Sequence, residues 1–295
     1  MTQGKVVYVN GDSFTEGVEL ADDMFPFYNR TYSLRQVRDC KDDTISKDQH
    51  ESINLKQHFL KDNHSFRYDL NKAQLERRWT TKLDQLLDKK VINMSSQGGS
   101  SMYSIAFRTI ADMHYLMKKG YIITDAIIQL TSPYRVSVFA DTGVEDEPLA
   151  NEFELRSYNL LSANVFNPNK KLESFATSFF NLETAAFNIY RWLHELFTLK
   201  HTLENMCPNI RVIFVDSVFY KNTLWPTGTD FETLLNLKRR EHNHILDFRK
   251  EFEENLELSM LDFVIHDEPL LTSGLHFTQE VHDRFAFALA ERYFS

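Results

Sequence analysis

Five short apolar runs, rich in β-branched residues, recur along the chain, and each gives way to residues that favour turns. They cover residues 5–9, 91–94, 125–130, 210–215 and 261–265. Runs of this length bounded by turn formers predict buried β-strands. Because the runs are apolar at nearly every position, we expect both faces of each strand to be covered, as they are in a parallel sheet.

The segments between these strands show helical spacing of apolar residues. Leu75, Trp79 and Leu83, for example, share one stripe of a predicted helix. The predicted helices are about 73–90, 102–119, 172–206 and 229–258, with a closing helix to residue 293 that Thr278 is expected to cap. Strands that alternate with helices predict an α/β fold with three layers, in which helices cover both faces of a five-stranded parallel sheet.

Two stretches depart from this alternation and are expected to be insertions in a single domain that spans residues 1–295. The first, about 18–72, is polar and charged. We expect it either to pack on the outside with some helix or to cover one rim of the site. The second, about 136–172, is irregular and carries an acidic patch. A loop of that length inside an α/β unit usually serves as a lid or binding segment.

Charge and cysteine content narrow the function classes. The net charge of −9 argues against a general nucleic-acid binder, which would be basic, but leaves room for a small anionic substrate. No apolar run approaches the length of a membrane span, and strand-forming residues begin at Lys5, which leaves no room for a signal peptide. The two cysteines, Cys40 and Cys207, imply no disulfide framework. We therefore expect a cytoplasmic protein, and the sequence does not predict its oligomeric state.

Candidate catalytic groups follow the first and last predicted strands. Ser13 lies in the turn that ends the first strand, where an open α/β sheet meets its ligands. The alternative is that Ser13 only caps the following helix. His276 follows the fifth strand and precedes the last helix, although a lone histidine is often a surface residue. Because the carboxyl ends of parallel strands share one edge, Ser13 and His276 are expected to meet there.

A glycine-containing loop follows the second strand at the same edge. Gly98 permits a close backbone approach, and its N–H could point at an oxyanion. Gly99 is the alternative, and a plain turn glycine is the other interpretation.

These three motifs resemble blocks I, II and V of the SGNH, or GDSL-type, serine hydrolases. The motifs are Gly11-Asp12-Ser13-Phe14-Thr15-Glu16-Gly17, the loop with Gly98, and Gly274-Leu275-His276. The resemblance implies the flavodoxin-like strand order 2-1-3-4-5. It also implies Ser13 as nucleophile, His276 as base and the N–H groups of Ser13 and Gly98 as oxyanion donors. The implied activity is hydrolysis of an ester, such as an O-acyl group on a sugar or other small molecule, without a metal or organic cofactor.

The sequence departs from the family at two signature positions. Block III usually supplies an asparagine to the oxyanion hole, and the matching loop here is Thr131-Ser132-Pro133-Tyr134-Arg135. Ser132 could donate a hydrogen bond instead, or Arg135 could assist the oxyanion or bind an anionic part of the substrate.

The second departure removes the acid that orients the catalytic histidine. Block V usually has an aspartate three residues before the histidine, and that position is Ser273 here. Ser273 itself, a backbone carbonyl, Asp267 or Glu268 could take its place. Without a substitute, a loss of about four orders of magnitude in turnover is expected. A weak or inactive binding protein is therefore an alternative function, and an acyltransferase whose 136–172 loop excludes water is another.

Overall fold

The computed structural model describes most of the sheet and the helices that pack on it. The described residues are 4–17, 19–25, 31–40, 44–95, 101–133, 135–141, 153–159, 185–217, 248, 251–252, 256, 258–272 and 276–295. The predicted helix at 229–258 lies almost wholly outside them, as do the first part of the helix predicted at 172–206 and most of the 136–172 segment.

A four-stranded parallel sheet forms the centre of the described structure. Its strands are β1 (Lys5–Asn10), β2 (Lys90–Asn93), β3 (Ile122–Gln129) and β6 (Arg211–Val215), in the order β2-β1-β3-β6. Val7 of β1 pairs with Val91 of β2 and Asp125 of β3. All four strands lie within two to three residues of their predicted bounds, and their order agrees with the first four places of the predicted order.

Helices cover both faces of this sheet, as the apolar strands predicted. On one face are α6 (Met102–Lys118) and α7 (Ala185–Met206); on the other are α5 (Trp79–Leu86) and α8 (Gln279–Phe294). Alternate residues of β1 point into the two cores, Val6 and Tyr8 to one side and Val7 and Val9 to the other. Burial on both faces explains why the strand carries no polar alternation.

The prediction of a fifth strand at 261–265 is wrong. Among the described residues, its place beside β6 is taken by a single parallel bridge between Asp216 and Ser259. A 3₁₀ helix, Met260–Phe263, follows at once. The Ser259 hydroxyl accepts from the Leu261 N–H at 3.3 Å, and the Asp262 carboxylate accepts from the Ser259 N–H at 3.1 Å. This capping pair turns the chain away from the sheet after one bridge, because its hydrogen bonds compete with the ladder.

Helices make up much of the first insertion. After α1 (Ser13–Glu16), which precedes the insertion, come α2 (Leu34–Asp39), α3 (Thr44–Asp62) and α4 (His64–Arg77), with a 3₁₀ turn at Asp22–Met24. The predicted helix at 73–90 is two helices, because Arg78 adopts an extended conformation with φ −69° and ψ 150° between α4 and α5. Phe25 and Leu70 belong to a small third core that holds the insertion together.

The second insertion contains an antiparallel pair of strands where the sequence predicted an irregular loop. They are β4 (Arg135–Asp141) and β5 (Phe153–Asn159), paired from Arg135–Asn159 to Asp141–Phe153. β4 begins directly after the turn that follows β3. Within the described residues, no helix is both long and apolar enough to cross a lipid bilayer.

Candidate active site

The turn after β1 is held by its own side chains. The Asn10 Oδ1 atom accepts from the Gly11 N–H at 2.8 Å, and its Nδ2 donates to Thr109 Oγ1 at 3.0 Å. Asp12 then starts α1, because its carbonyl accepts from the Thr15 N–H at 3.1 Å and its carboxylate from the Phe14 N–H at 3.1 Å. Ser13 is therefore the first residue of a short helix at the carboxyl edge of the sheet, where the sequence predicted it.

Asn93, at the end of β2, braces the same turn from the neighbouring strand. Its Nδ2 donates to the carbonyl of Thr15 at 3.1 Å and to Thr80 Oγ1 at 2.9 Å. On the other side, the Thr15 hydroxyl donates to Gln129, the last residue of β3. The short helix that begins at Ser13 is thus fixed by the ends of two neighbouring strands. This role of Asn93 was not predicted from the sequence.

Asp12 forms a buried ion pair with Arg135 beneath this turn. Arg135 Nη1 lies 3.0 Å from Asp12 Oδ2, and the Asp12 side chain has no exposed surface. The same nitrogen donates to Thr131 Oγ1 at 2.7 Å. Burial raises the pKa of Asp12, and the Arg135 charge acts in the opposite direction. Arg135, a candidate for anion binding, thus ties the β3 loop to the residue before Ser13.

The loop that carries His276 closes on itself through Thr272. The Thr272 N–H donates to the His276 carbonyl at 2.7 Å, and the His276 N–H donates to Thr272 Oγ1 at 3.0 Å. The imidazole ring packs against Phe14, with 5.0 Å between ring centroids. The structure therefore places His276 beside the residue that follows Ser13.

Glu19 faces the imidazole of His276. Its Oε2 is 3.2 Å from His276 Nδ1 and accepts from Thr272 Oγ1 at 2.6 Å. Burial favours a higher pKa for Glu19, but hydrogen bonding and charge from His276, with Lys56 and Thr272, outweigh it and lower the pKa to about 2. Glu19 is therefore ionised at neutral pH.

Sequence reasoning missed Glu19, although one signal pointed to it. When the usual aspartate is absent, each carboxylate near the nucleophile becomes a candidate. Glu19 lies only six residues after Ser13. In the structure, Glu19 also has a φ of 67°, which non-glycine residues rarely adopt.

The other candidate residues are distributed as follows. Asp267 is exposed and pairs with Arg35 at 3.2 Å, so it is engaged at the surface. Ser132 is buried and its carbonyl accepts from the Arg135 N–H at 3.1 Å, which closes the turn into β4. Gly98, with its alternative Gly99, and Ser273 lie outside the described residues.

The remaining observations concern metal binding and the last candidate acid, Glu268. Among the described residues, no group of three or more His, Cys, Asp or Glu side chains is arranged to hold a metal ion. Glu268, the remaining candidate acid, has its carboxylate 3.7 Å from Arg284 of α8.

Comparison with known proteins gives structural neighbours but no sequence match. No family profile and no curated protein matches the chain. A carbohydrate esterase family 2 enzyme with a carbohydrate-binding domain from Corynascus thermopiles (Myceliophthora fergusii) matches at a TM-score of 0.46 and 10% identity, over 97% of this chain and 64% of that one.

Two more neighbours are bacterial. A putative lipolytic protein of the G-D-S-L family from Desulfitobacterium hafniense DCB-2 matches at a TM-score of 0.42 and 12% identity, over 97% and 98% of the two chains. An acetyl xylan esterase from the rumen bacterium Butyrivibrio proteoclasticus matches at 0.39 and 11%, over 99% and 63%. This chain thus spans less than two thirds of the two carbohydrate-active neighbours. One of the three neighbours is named as a member of the G-D-S-L family, which the sequence motifs resemble.

Proposed function

We propose that the protein is a serine hydrolase of esters that uses Ser13, His276 and Glu19. The observation that carries this proposal is the 3.2 Å contact between Glu19 Oε2 and His276 Nδ1, beside the helix that begins at Ser13. A carboxylate at Nδ1 stabilises the tautomer with its proton on Nδ1 and leaves the Nε2 lone pair to act as a base. This is the role that the missing block V aspartate would play.

The chemistry proceeds in two balanced steps. Ser13 Oγ attacks the ester carbonyl carbon while His276 Nε2 takes the hydroxyl proton. The tetrahedral intermediate then collapses, the C–O bond to the alcohol breaks, and the imidazolium returns the proton to the departing alcohol. Water next attacks the acyl-Ser13 ester, giving a proton to His276, and the carboxylic acid leaves as Ser13 recovers that proton.

The oxyanion needs donors that are in place before the reaction. We assign this role to the N–H groups of Ser13 and Gly98. Arg135 is better suited to holding the turn than to binding substrate, because its Nη1 already donates to Asp12 and Thr131. Its pairing with a buried carboxylate gives the turn the rigidity that an oxyanion site requires.

The site bears on the two alternative functions in different ways. A binding protein without chemistry was favoured by the missing aspartate, and Glu19 supplies a carboxylate at that place. An acyltransferase would use the same acyl-Ser13 intermediate with an acceptor other than water, so it becomes one outcome of the test.

Fluorophosphonate labelling tests the proposal directly. The reagent is expected to label Ser13 in the wild-type protein, and Ser13→Ala is expected to abolish the label. Ser65→Ala, a change at an exposed serine on α4, serves as the matched control and is expected to label fully. An esterase assay on p-nitrophenyl acetate and acetylated xylan oligosaccharides, with and without added alcohol acceptors, then separates hydrolysis from transfer.

The outcomes are distinct. Labelling lost in Ser13→Ala alone supports the serine enzyme. Equal labelling of the wild type and Ser13→Ala contradicts the assignment of the nucleophile. A wild type that neither labels nor cleaves any ester would favour the binding protein.

A further inference from the structure

Glu19 also contacts a pair of charged side chains through Oε1, the carboxylate oxygen that does not face the imidazole. Lys56 of α3 reaches Glu19 Oε1 with its Nζ at 3.4 Å, and the same Nζ contacts the Asp22 carboxylate. All three side chains are nearly buried, with 12–14% of their surface exposed. His276, Glu19, Lys56 and Asp22 therefore form one chain of alternating charges that begins at the candidate base.

The inserted helices hold Lys56 in this position. Its ammonium lies 5.9 Å from the centre of the Phe25 ring. Phe25 packs in turn against Phe59 and Phe66 of α3 and α4, at ring distances of 5.9 and 5.2 Å. A side chain whose ammonium already lies over an aromatic ring loses little further freedom when it binds a carboxylate. The insertion thus presents a fixed positive charge to the carboxylate that faces the base.

Charge counting gives this arrangement a consequence for catalysis. With a neutral imidazole, the two carboxylates and one ammonium sum to −1, and with an imidazolium the cluster is neutral. Two neighbouring carboxylates are paired, Asp12 with Arg135 and Asp23 with Arg77, and the buried His282 of α8 also interacts with the charge of His276. In a buried site the charge on each neighbour acts strongly, so Lys56 and Asp22 act in opposite senses on the positive charge that forms on the ring during proton transfer. Burial and the charge of Glu19 raise the pKa of Asp22 to about 6, although the Lys56 charge acts in the opposite direction. Asp22 therefore titrates within the pH range over which activity would be measured.

We propose that Lys56 and Asp22 are positioning residues that act on His276 through Glu19, with Lys56 limiting and Asp22 increasing the stability of the imidazolium. The expected effect on kcat/KM rests on the proposed function. The expected effect on the protonation of the His276 ring does not. It also gives the first insertion a role inside the site, beyond its packing on the sheet.

The test compares the pH dependence of kcat/KM for p-nitrophenyl acetate in four variants and the wild type. Lys56→Met removes a positive charge, so the ring keeps its proton to higher pH and the acidic limb moves up by about 0.5–1 pH unit. Asp22→Asn removes a negative charge and moves the limb down, by about half a unit. Lys56→Arg keeps the charge and restores the wild-type limb. Lys47→Met, an exposed change on the same helix, leaves the limb unmoved.

A readout independent of catalysis follows the His276 ring by NMR, with His276→Gln used to assign its signal. The ring titration is expected to shift in the same two directions. Shifts of opposite sign support the inference even if the wild type cleaves no ester, in which case the proposed function alone fails. The inference is overturned if the acidic limb and the ring titration stay in place in Lys56→Met and Asp22→Asn. It is also overturned if both variants move them in the same direction. If Lys56→Met does not fold, Asp22→Asn with Lys56→Arg decides by the same criterion.

Discussion

Glu19 adopts a backbone conformation that glutamate seldom takes. Its φ of 67° carries a cost of about 1–3 kcal/mol, and such a residue persists only where its surroundings fix it. Here Thr272, His276 and Lys56 all bind the carboxylate. The strain is therefore offset by contacts of the side chain, and they aim the carboxylate at Nδ1.

Replacing this carboxylate is expected to impair turnover far more than binding. Glu19→Gln removes the charge and presents an amide to Nδ1, so the imidazole loses its preferred tautomer. We expect kcat to fall by about 10²–10⁴-fold with little change in KM, as for the aspartate of a Ser-His-Asp triad. Steady-state kinetics on p-nitrophenyl acetate measure this.

The matched control is Asp267→Asn, which changes the exposed carboxylate that pairs with Arg35. It is expected to keep kcat within twofold of the wild type. If Asp267→Asn lost as much turnover as Glu19→Gln, the assignment of the acid to Glu19 would be wrong.

Some of the site was predictable because it depends on local pattern. Ser13 follows a strand at the carboxyl edge of the sheet. His276 precedes the last helix, and its ring lies against Phe14 although, among the described residues, no fifth strand leads to it. Glu19 was not predictable in the same way, because its partner His276 is 257 residues away and no residue pattern favours its backbone conformation. Gly98, Ser273 and the assigned roles of the described candidates stay predictions.

At the scale of the elements, the turn between β1 and α1 depends on close approach of the backbone. A Cβ added at Gly11 would lie within 3 Å of both the Thr15 side chain and Gln129 Cβ. Both neighbours are buried at the end of the sheet, so neither can move freely. Gly11→Ala is expected to destabilise the fold by about 1–3 kcal/mol, because overpacking displaces backbone and side chains.

Urea denaturation checks this, with Gly4→Ala as the control, since a Cβ at Gly4 meets no atom within 4 Å. The control is expected to unfold at the wild-type midpoint. Equal midpoints for Gly11→Ala and Gly4→Ala would show that the turn tolerates a side chain.

The elements that sequence patterns predicted well are those whose local and tertiary preferences agree. The four strands of the sheet and α6 and α8 are examples. The stretch at 261–265 was misassigned because its apolar residues suit a strand, whereas Ser259 and Asp262 provide a capping pair that was visible in the sequence. Thr278 occupies the position before α8, but its hydroxyl makes no capping hydrogen bond with that helix.

At the scale of the whole molecule, acid sensitivity is expected to come largely from His282 of α8. Its Nδ1 accepts from the backbone N–H of Trp79 at 3.2 Å, and this hydrogen bond joins α8 to α5. Burial, with the charge of His276, lowers the pKa of His282 from 6.5 to about 3. The unfolded chain therefore binds this proton more readily, so the stabilisation is complete above pH 6.5 and is lost as the pH falls toward 3.

The loss expected from His282 alone is about 2 kcal/mol between pH 6.5 and pH 5, and Asp22 offsets roughly 1 kcal/mol of it over the same range. Glu19, with a pKa lowered to about 2, adds a loss below pH 4.5; Asp22, with a pKa raised to about 6, acts in the opposite sense between pH 6 and 3.8. Urea unfolding at both pH values measures the slope. His282→Gln should flatten it, and His201→Gln, an exposed change on α7, should not. A slope unchanged in His282→Gln would assign the acid sensitivity to other groups.

The contact between Glu19 and His276 joins residues 257 positions apart. During translation, the first of the two leaves the ribosome long before the second has been made. A nascent chain, or a fragment released by premature termination before residue 276, therefore carries Ser13 and Glu19 but no imidazole to pair with them. Competence of such a site arises only late in synthesis, after the sheet between the two residues has been able to form.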